Sequence, residues 1–172
     1  DYPRLTEMLE LIHPVQDVDG FKVPLIDISS LQSANDFIIH PTFSPTAKGV
    51  LLLNMLVDDA IKGKQVAVVG KGLTSGLPIT LMYNQLGATV HTINSNTITN
   101  ARYDIFNHSN IIVSCAGVDM TLFKDTFLYH DKICINVGMR REEGKMLGDL
   151  DYNSISKHAS FINPVLGSTG KL

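Results

Sequence analysis

The chain is short of cysteine, of charge and of long apolar runs, and each shortage removes a class of protein. Two cysteines in 172 residues cannot build a disulfide framework. Cys115 and Cys134 each sit inside a short apolar run, which fits small buried hydrophobes in neighbouring strands better than a bridge. The six histidines form no HExxH or HxH pair and no CxxC occurs, so no metal site is expected. Lys and Arg number 14 against 17 Asp and Glu, a net charge of −3, with a pI near 6.0. A polyanion-binding protein needs a basic excess, so nucleic acid is not an expected partner. No apolar run approaches the ~18 residues of a membrane span, and the richest, Gly49–Val57, is interrupted by Asn54. Charged residues make up 18% of the chain, below the usual ~25%, which suits a surface that meets a partner domain. These counts lead us to expect a soluble protein of a reducing, cytoplasmic compartment.

What is present is enough for a core: 44% hydrophobic residues, at a length that buries about two-thirds of its surface. That is one domain, or one domain with a fragment of another. The opening Asp1-Tyr2-Pro3-Arg4 has no initiator Met or signal h-region, so a piece of a longer protein is expected. Leu5–Ile12 has helical apolar spacing, and a turn-rich stretch, His13–Phe21, follows. From there to Pro45 the chain reads as irregular, punctuated by Pro24, Pro41 and Pro45. A helix is predicted over Lys48–Ile61, stopped by Lys62-Gly63.

A regular alternation then begins. Strands are predicted at Gln65–Val69, Thr89–Ile93, Ile111–Cys115, Lys132–Val137 and Ala159–Ile162. Between them come a helix over Leu77–Leu86, with Pro78 in its first turn and Gly87 as its stop, and weaker helices within Ile98–Phe106 and Leu122–Leu128. Asp151–Lys157 leads to the last strand. Strands alternating with helices at this spacing imply an α/β fold, a Rossmann-like doubly wound parallel sheet with helices on both faces.

The first strand runs into Gly70-Lys71-Gly72-Leu73-Thr74-Ser75-Gly76, which opens a helix. A dinucleotide pyrophosphate needs a tight turn, a backbone without Cβ where it approaches, and helix N–H groups aimed at it. Gly70, Gly72 and Gly76 offer these at GxGxxxG spacing; a merely structural strand-to-helix turn is the other reading. The end of the second strand bears on the cofactor. NAD sites place Asp or Glu about 20 residues past the glycines, yet no carboxylate occurs from Ala88 to Asn100. Asn94 and Ser95 can donate to a 2′-phosphate and Lys71 can reach across, which favours NADP. Asn94 and Ser95 are equally fit to cap the next helix. Gly117 and Gly138, after the third and fourth strands, leave room for a nicotinamide or are ordinary loop glycines. Asp149 and Asp151 are candidate N-caps.

In this order the pieces resemble the methylenetetrahydrofolate dehydrogenase/cyclohydrolase family. Asp17-Val18-Asp19-Gly20-Phe21 is similar to its lysine-aspartate-valine-aspartate-glycine motif, with Gln16 for the lysine. Pro45-Thr46-Ala47-Lys48-Gly49 resembles its cysteine-threonine-proline-x-glycine loop. Ile61–Pro78 resembles its glycine-loop stretch, with Lys71 for arginine and Gly72 for serine, and Ala88–Thr97 its following segment, with Ser95 kept. Gly148–Asp151 and Ile162–Gly170 resemble its last two signatures, although Asn136 stands for an aspartate and Thr169 for a glycine.

The resemblance implies NADP-linked oxidation of 5,10-methylenetetrahydrofolate and hydrolysis of the product to 10-formyltetrahydrofolate, within one-carbon metabolism and purine biosynthesis. It implies that Asp19 contacts the pterin, that Lys71 and Ser95 hold the 2′-phosphate, and that the glycine loop holds the pyrophosphate. It further implies a homodimer, with tetrahydrofolate derivatives as substrates. Residues 1–47 would end a folate-binding domain and 48–172 form the NADP-binding domain. The family's catalytic tyrosine and lysine would precede Asp1, and its last helix would follow Leu172. The alternatives are another NADP dehydrogenase, such as the shikimate type, and a non-catalytic regulatory or assembly protein that keeps the fold.

The carboxylate-free strand end makes the first prediction. Ser95→Asp should lower NADP affinity by about 2 kcal/mol or more and NAD affinity far less, read by calorimetry. Equal losses for both nucleotides would remove the argument.

Overall fold

The structure, a computed structural model, describes residues 5–13, 16–22, 28–118 and 126–165. Its centre is β1 (Gln65–Val69), a β-branched run of the kind a strand covered on both faces requires. Around it the sheet orders β2 (Thr89–Ile93), β1, β3 (Ile111–Ser114), β4 (Ile133–Asn136) and β7 (Phe161–Ile162), with every pair parallel. The limits of β1 and β2 coincide with the sequence expectation. The other three strands are shorter than expected by one or two residues at an end.

Side chains alternate across the sheet, and each set has its own helical cover. Val66, Val68, Ile111, Val113, Ile133 and Ile135 face α3 (Pro45–Val57) and α4 (Gly76–Gln85). Ala67, Val69, Ile112 and Cys134 face Phe106 of α5 (Thr99–His108) and Ile155 of α6 (Tyr152–Ile155), with Leu128 and Tyr129 from a 3-10 turn. The doubly wound architecture follows from this period-2 division. Neither cysteine is bridged: Cys134 is buried in β4, and Cys115 is half-buried just past β3.

Helix ends differ from the sequence reading where side chains intervene. The helix expected over Lys48–Ile61 runs Pro45–Val57, because Ser44 caps it and Pro45 needs no N–H at the first position. It stops early because the Asp58 carboxylate turns to the Ala60 N–H (2.9 Å) and the Lys64 ammonium (2.9 Å). Lys62-Gly63 forms instead the turn into β1, where the Gly63 N–H donates to the Gly87 carbonyl (2.9 Å). At the end of α4, Gly87 sits at φ +83°. Its N–H donates to the Asn84 carbonyl and that of Ala88 to Tyr83, a Schellman stop.

Two regions hold elements where none was expected. The stretch read as irregular contains a 3-10 turn (Ile28–Ser30) and α2 (Ala34–Ile39). Six residues are too few to show a helical period, and α2 is fixed by a Ser33–Asp36 capping box that uses aspartate rather than glutamate. Phe37 of α2 packs edge-on against Phe43, ring centroids 4.9 Å apart. After β4, a hairpin joins β5 (Met139–Glu142) to β6 (Lys145–Gly148). Glu143 and Gly144 both have positive φ, 48° and 79°, which gives the two-residue turn whose twist matches paired strands. Of the segment Leu122–Leu128, only the 3-10 turn Thr126–Tyr129 is described; residues 119–125 lie outside the described residues. The first helix, α1, covers Leu5–Glu10, and the Lys22 ammonium donates to the carbonyls of Glu10 and Ile12 beyond it.

One buried polar pair joins the two helices on the glycine-loop side of the fold. The Tyr83 hydroxyl donates to Asn54 Oδ1 (2.9 Å), and Asn54 Nδ2 donates to the Asp58 carbonyl (2.6 Å). Burial raises the Tyr83 pKa, so the phenol stays a donor. Tyr83→Phe should leave Asn54 Oδ1 buried without its donor and cost about 1–3 kcal/mol. Urea unfolding should show this as a lower midpoint at unchanged slope; an unchanged midpoint would show that the pair contributes nothing.

Candidate functional site

From β1 the chain passes to β2 on one side and then to β3 on the other, so the winding reverses between β1 and β3. In open α/β sheets the crevice at that reversal, outside the carboxyl ends of the strands, receives ligands. Gly70 stands there at φ +110°. Its N–H donates to the Ile93 carbonyl (2.8 Å), and a Cβ on it would lie 2.9 Å from the Cys115 carbonyl oxygen. Gly76 opens α4 directly against the loop's start, where a Cβ would come within 2.2 Å of the Gly70 carbonyl oxygen. Gly72 differs from both: nothing lies within 4 Å of where its Cβ would be. Gly70 and Gly76 therefore serve the fold, and Gly72 leaves backbone open on the outer side. Lys71 is exposed. Ser75 precedes α4 without capping it through its side chain.

Asn94 and Ser95 leave β2 beside this loop, and neither caps α5. The N-cap is Ile98, which has no capping side chain. Asn94 Oδ1 accepts instead from the Asn96 N–H (2.9 Å), and the Thr97 hydroxyl oxygen accepts from the Asn94 N–H (3.1 Å). Ser95 is exposed and Asn94 half-buried. Arg102, which sequence reasoning missed, reaches back from α5 to the carbonyls of this loop.

Asp149 organises the edge after β3 and β4. It is 3% exposed. Its Oδ2 accepts from the Ser114 hydroxyl (2.8 Å), the Ala116 N–H (2.8 Å) and the Gly117 N–H (3.2 Å), while Oδ1 is buried without a partner among the described residues. Of the two candidate N-caps only Asp151 fills that role, accepting from the Asn153 and Ser154 N–H groups at the start of α6. Gly138 is the glycine that admits the carboxylate, since a Cβ there would lie 2.0 Å from Asp149 Oδ2. Gly117 turns at φ +67°. Asn136 is fully engaged: its Oδ1 accepts from the Asp149 N–H (3.1 Å), and its backbone exchanges hydrogen bonds with the Asn163 amide (2.7 and 2.9 Å). Burial, and secondarily the Asp149 charge, push the Cys115 thiol up to about 12.

Asp19 is exposed in a turn. The turn carboxylate is Asp17, 3% exposed, which accepts from the N–H groups of Phe21 (2.9 Å) and Lys22 (2.7 Å). The turn is nonetheless tied to the glycine loop. Gly20, at φ +69°, packs so closely on Ser44 that a Cβ would lie 2.7 Å from its nitrogen, and the Ser44 hydroxyl donates to the Thr74 carbonyl (3.1 Å). Thus Gly70, Lys71, Gly72, Gly76, Asn94, Ser95, Gly117 and Gly138 share one edge of the sheet, and Asp19 connects to it through Ser44. Among the described residues no group of three His, Cys, Asp or Glu side chains is placed to hold a metal, and no helix is long and apolar enough to cross a membrane.

Comparison with known proteins matches residues 44–172 to the NAD(P)-binding domain of tetrahydrofolate dehydrogenase/cyclohydrolase. The bifunctional protein FolD of Lactobacillus acidophilus is 33% identical over 166 residues, covering 96% of this chain and 56% of that protein. The crystal structure of FolD from Campylobacter jejuni superposes with a TM-score of 0.82 at 28% identity, over 96% of this chain and 56% of that one. The Trypanosoma brucei enzyme, solved with NADP and an inhibitor, gives 0.75 at 27% identity, over 95% and 56%. The chain thus spans about half the length of the relatives it matches.

The two kinds of glycine make a prediction. Gly72→Ala should change stability by less than about 0.5 kcal/mol while weakening nucleotide binding. Gly76→Ala should unfold or severely destabilise the protein, by about 3 kcal/mol or more. Thermal melts and nucleotide titrations separate the two; a Gly72→Ala protein that binds nucleotide normally would deny the loop its role.

Proposed function

As the chain belongs to the tetrahydrofolate dehydrogenase/cyclohydrolase family, we propose that its crevice binds NADP and that the whole protein oxidises 5,10-methylenetetrahydrofolate and hydrolyses the methenyl product to 10-formyltetrahydrofolate. The observation that carries the reading is the division among the glycines. Gly70 and Gly76 bring backbone onto backbone at the sheet reversal, and Gly72 leaves the loop open between them and the carboxylate-free end of β2. A pyrophosphate suits such a loop because its charge meets peptide N–H groups at close range. At the end of β2 the exposed Ser95 hydroxyl offers a donor, and no acidic side chain of that loop repels a 2′-phosphate. Lys71 adds an exposed cation beside it. Small residues after β3 and β4, held in place by Asp149, leave the edge low where the nicotinamide would lie. NADP, when bound, accepts the hydride released from the methylene carbon.

Asp19 is assigned to the pterin. Its carboxylate is exposed, while Asp17 supplies the turn's own hydrogen bonds, so Asp19 is available to accept from the donor edge of a folate ring. The Gly20–Ser44–Thr74 contact places that turn against the cofactor loop, as transfer between folate and nucleotide requires. In this reading residues 1–47 belong with the folate-binding part and 48–172 with the cofactor-binding part. The proton-handling groups of the hydrolytic step belong to the additional length that the relatives have. We extend the proposal to a cytoplasmic homodimer acting in one-carbon metabolism and purine biosynthesis. The unbridged cysteines support the reducing compartment, and the low share of charged residues supports a surface covered by protein.

The test is a dehydrogenase assay of the whole protein with methylenetetrahydrofolate and each nucleotide, alongside Asp19→Ala. The variant should lose about tenfold or more in kcat/KM for the folate and keep its NADP affinity. No turnover by the unaltered protein would favour a binding protein of the same fold. Normal kinetics with a lowered melting temperature would make Asp19 structural.

A further inference from the structure

We infer that Arg102 is a specificity-determining residue for the cofactor's 2′-phosphate, an assignment that rests on the NADP reading above. Arg102 lies in the first turn of α5 and is half-buried. Its guanidinium turns back onto the loop after β2: Nε donates to the Thr97 carbonyl (2.6 Å), and Nη2 donates to the carbonyls of Ser95 (3.1 Å) and Asn94 (3.4 Å). The head is thereby fixed against the backbone of the two residues already assigned to the ribose edge.

Two features make this more than a loop staple. A guanidinium has five N–H donors, and the contacts above use Nε and Nη2, leaving both N–H groups of Nη1 without a partner among the described residues. The charge is also unanswered among the described residues: all of Arg102's partners there are neutral carbonyls, and none is a carboxylate. A half-buried cation whose head is fixed and whose remaining donors are free is pre-organised for a dianionic oxygen cluster, because little side-chain freedom is left to lose on binding. Lys71, by contrast, is exposed and makes no described hydrogen bond, so it must be ordered by the ligand. Arg102 thus supplies the fixed charge of the site, and Lys71 and Ser95 complete it. The phosphate is recognised as a charge held at one place, and a bare 2′-hydroxyl gains nothing from it.

The experiment measures NADP and NAD affinity by calorimetry for the unaltered protein, Arg102→Gln and Arg102→Lys, at low and high salt. Arg102→Gln should cut the NADP-over-NAD preference by about tenfold or more, with NAD affinity within about twofold of the unaltered protein. Its NADP affinity should also fall less with added salt. Arg102→Lys, which keeps the charge but loses the fork that fixes it, guards against a folding defect in the glutamine variant and should retain a preference between those of Arg102→Gln and the unaltered protein. An unchanged preference in Arg102→Gln would overturn the inference. So would equal losses for both nucleotides, which would mark Arg102 as a residue that only orders the loop. If the unaltered protein itself shows no preference for NADP, the cofactor reading fails at that control, and the role of Arg102 falls with it.

Discussion

The fold depends on backbone meeting backbone at the reversal of the sheet. Gly76 rests on the Gly70 carbonyl and Gly70 on that of Cys115, at separations that no Cβ tolerates. Close contact there lets α4 start immediately above the end of β1 and lets β3 lie directly alongside. Any side chain at either position would push the helix off the sheet and part β1 from β3 at the level of the crevice. The helical cover over Val66 and Val68 and the crevice that follows both come from that contact. The glycine spacing, one residue longer than the usual form, is therefore compatible with a well-formed loop.

Much of this was legible in the sequence, for identifiable physical reasons. β1 and β2 stand out because a β-branched run bounded by glycine has one reasonable conformation. The helix between them is marked at both ends, by Pro78 in its first turn and Gly87 at its stop. What escaped notice depends on contacts that local pattern does not encode. Helix α2 has one turn and a half, and its stability comes from a capping box and from Phe37 packing on Phe43. The β5–β6 hairpin pairs Met-Arg-Arg-Glu with Lys-Met-Leu-Gly on largely exposed strands, so no apolar alternation announces it. Its Glu-Gly turn was the available signal.

The site residues show the same limit. Asp149, in a Gly-Asp-Leu-Asp string, reads as a cap like its neighbour Asp151, yet its partners lie 32 to 35 positions back. Asp17 and Asp19 share a five-residue motif, and only the fold shows which carboxylate turns inward to the N–H groups of Phe21 and Lys22. Arg102 lies seven positions past Ser95, inside a helix of otherwise unremarkable composition. Its relevance comes from a side chain that points back along the chain, as helical side chains lean toward the N-terminus. Glycines are the opposite case: their positions were evident, but which of them packs against backbone and which stands open was not.

The carboxylate of Asp149 also bears on the reactivity of its surroundings. Cys115 lies half-buried just past β3, and cysteine chemistry runs through the thiolate. Burial, joined by the neighbouring negative charge, holds the thiol near a pKa of about 12. At neutral pH the thiol form therefore dominates. Burial thus keeps the thiol chemically quiet, and the carboxylate that orders the loop after β3 adds to the effect.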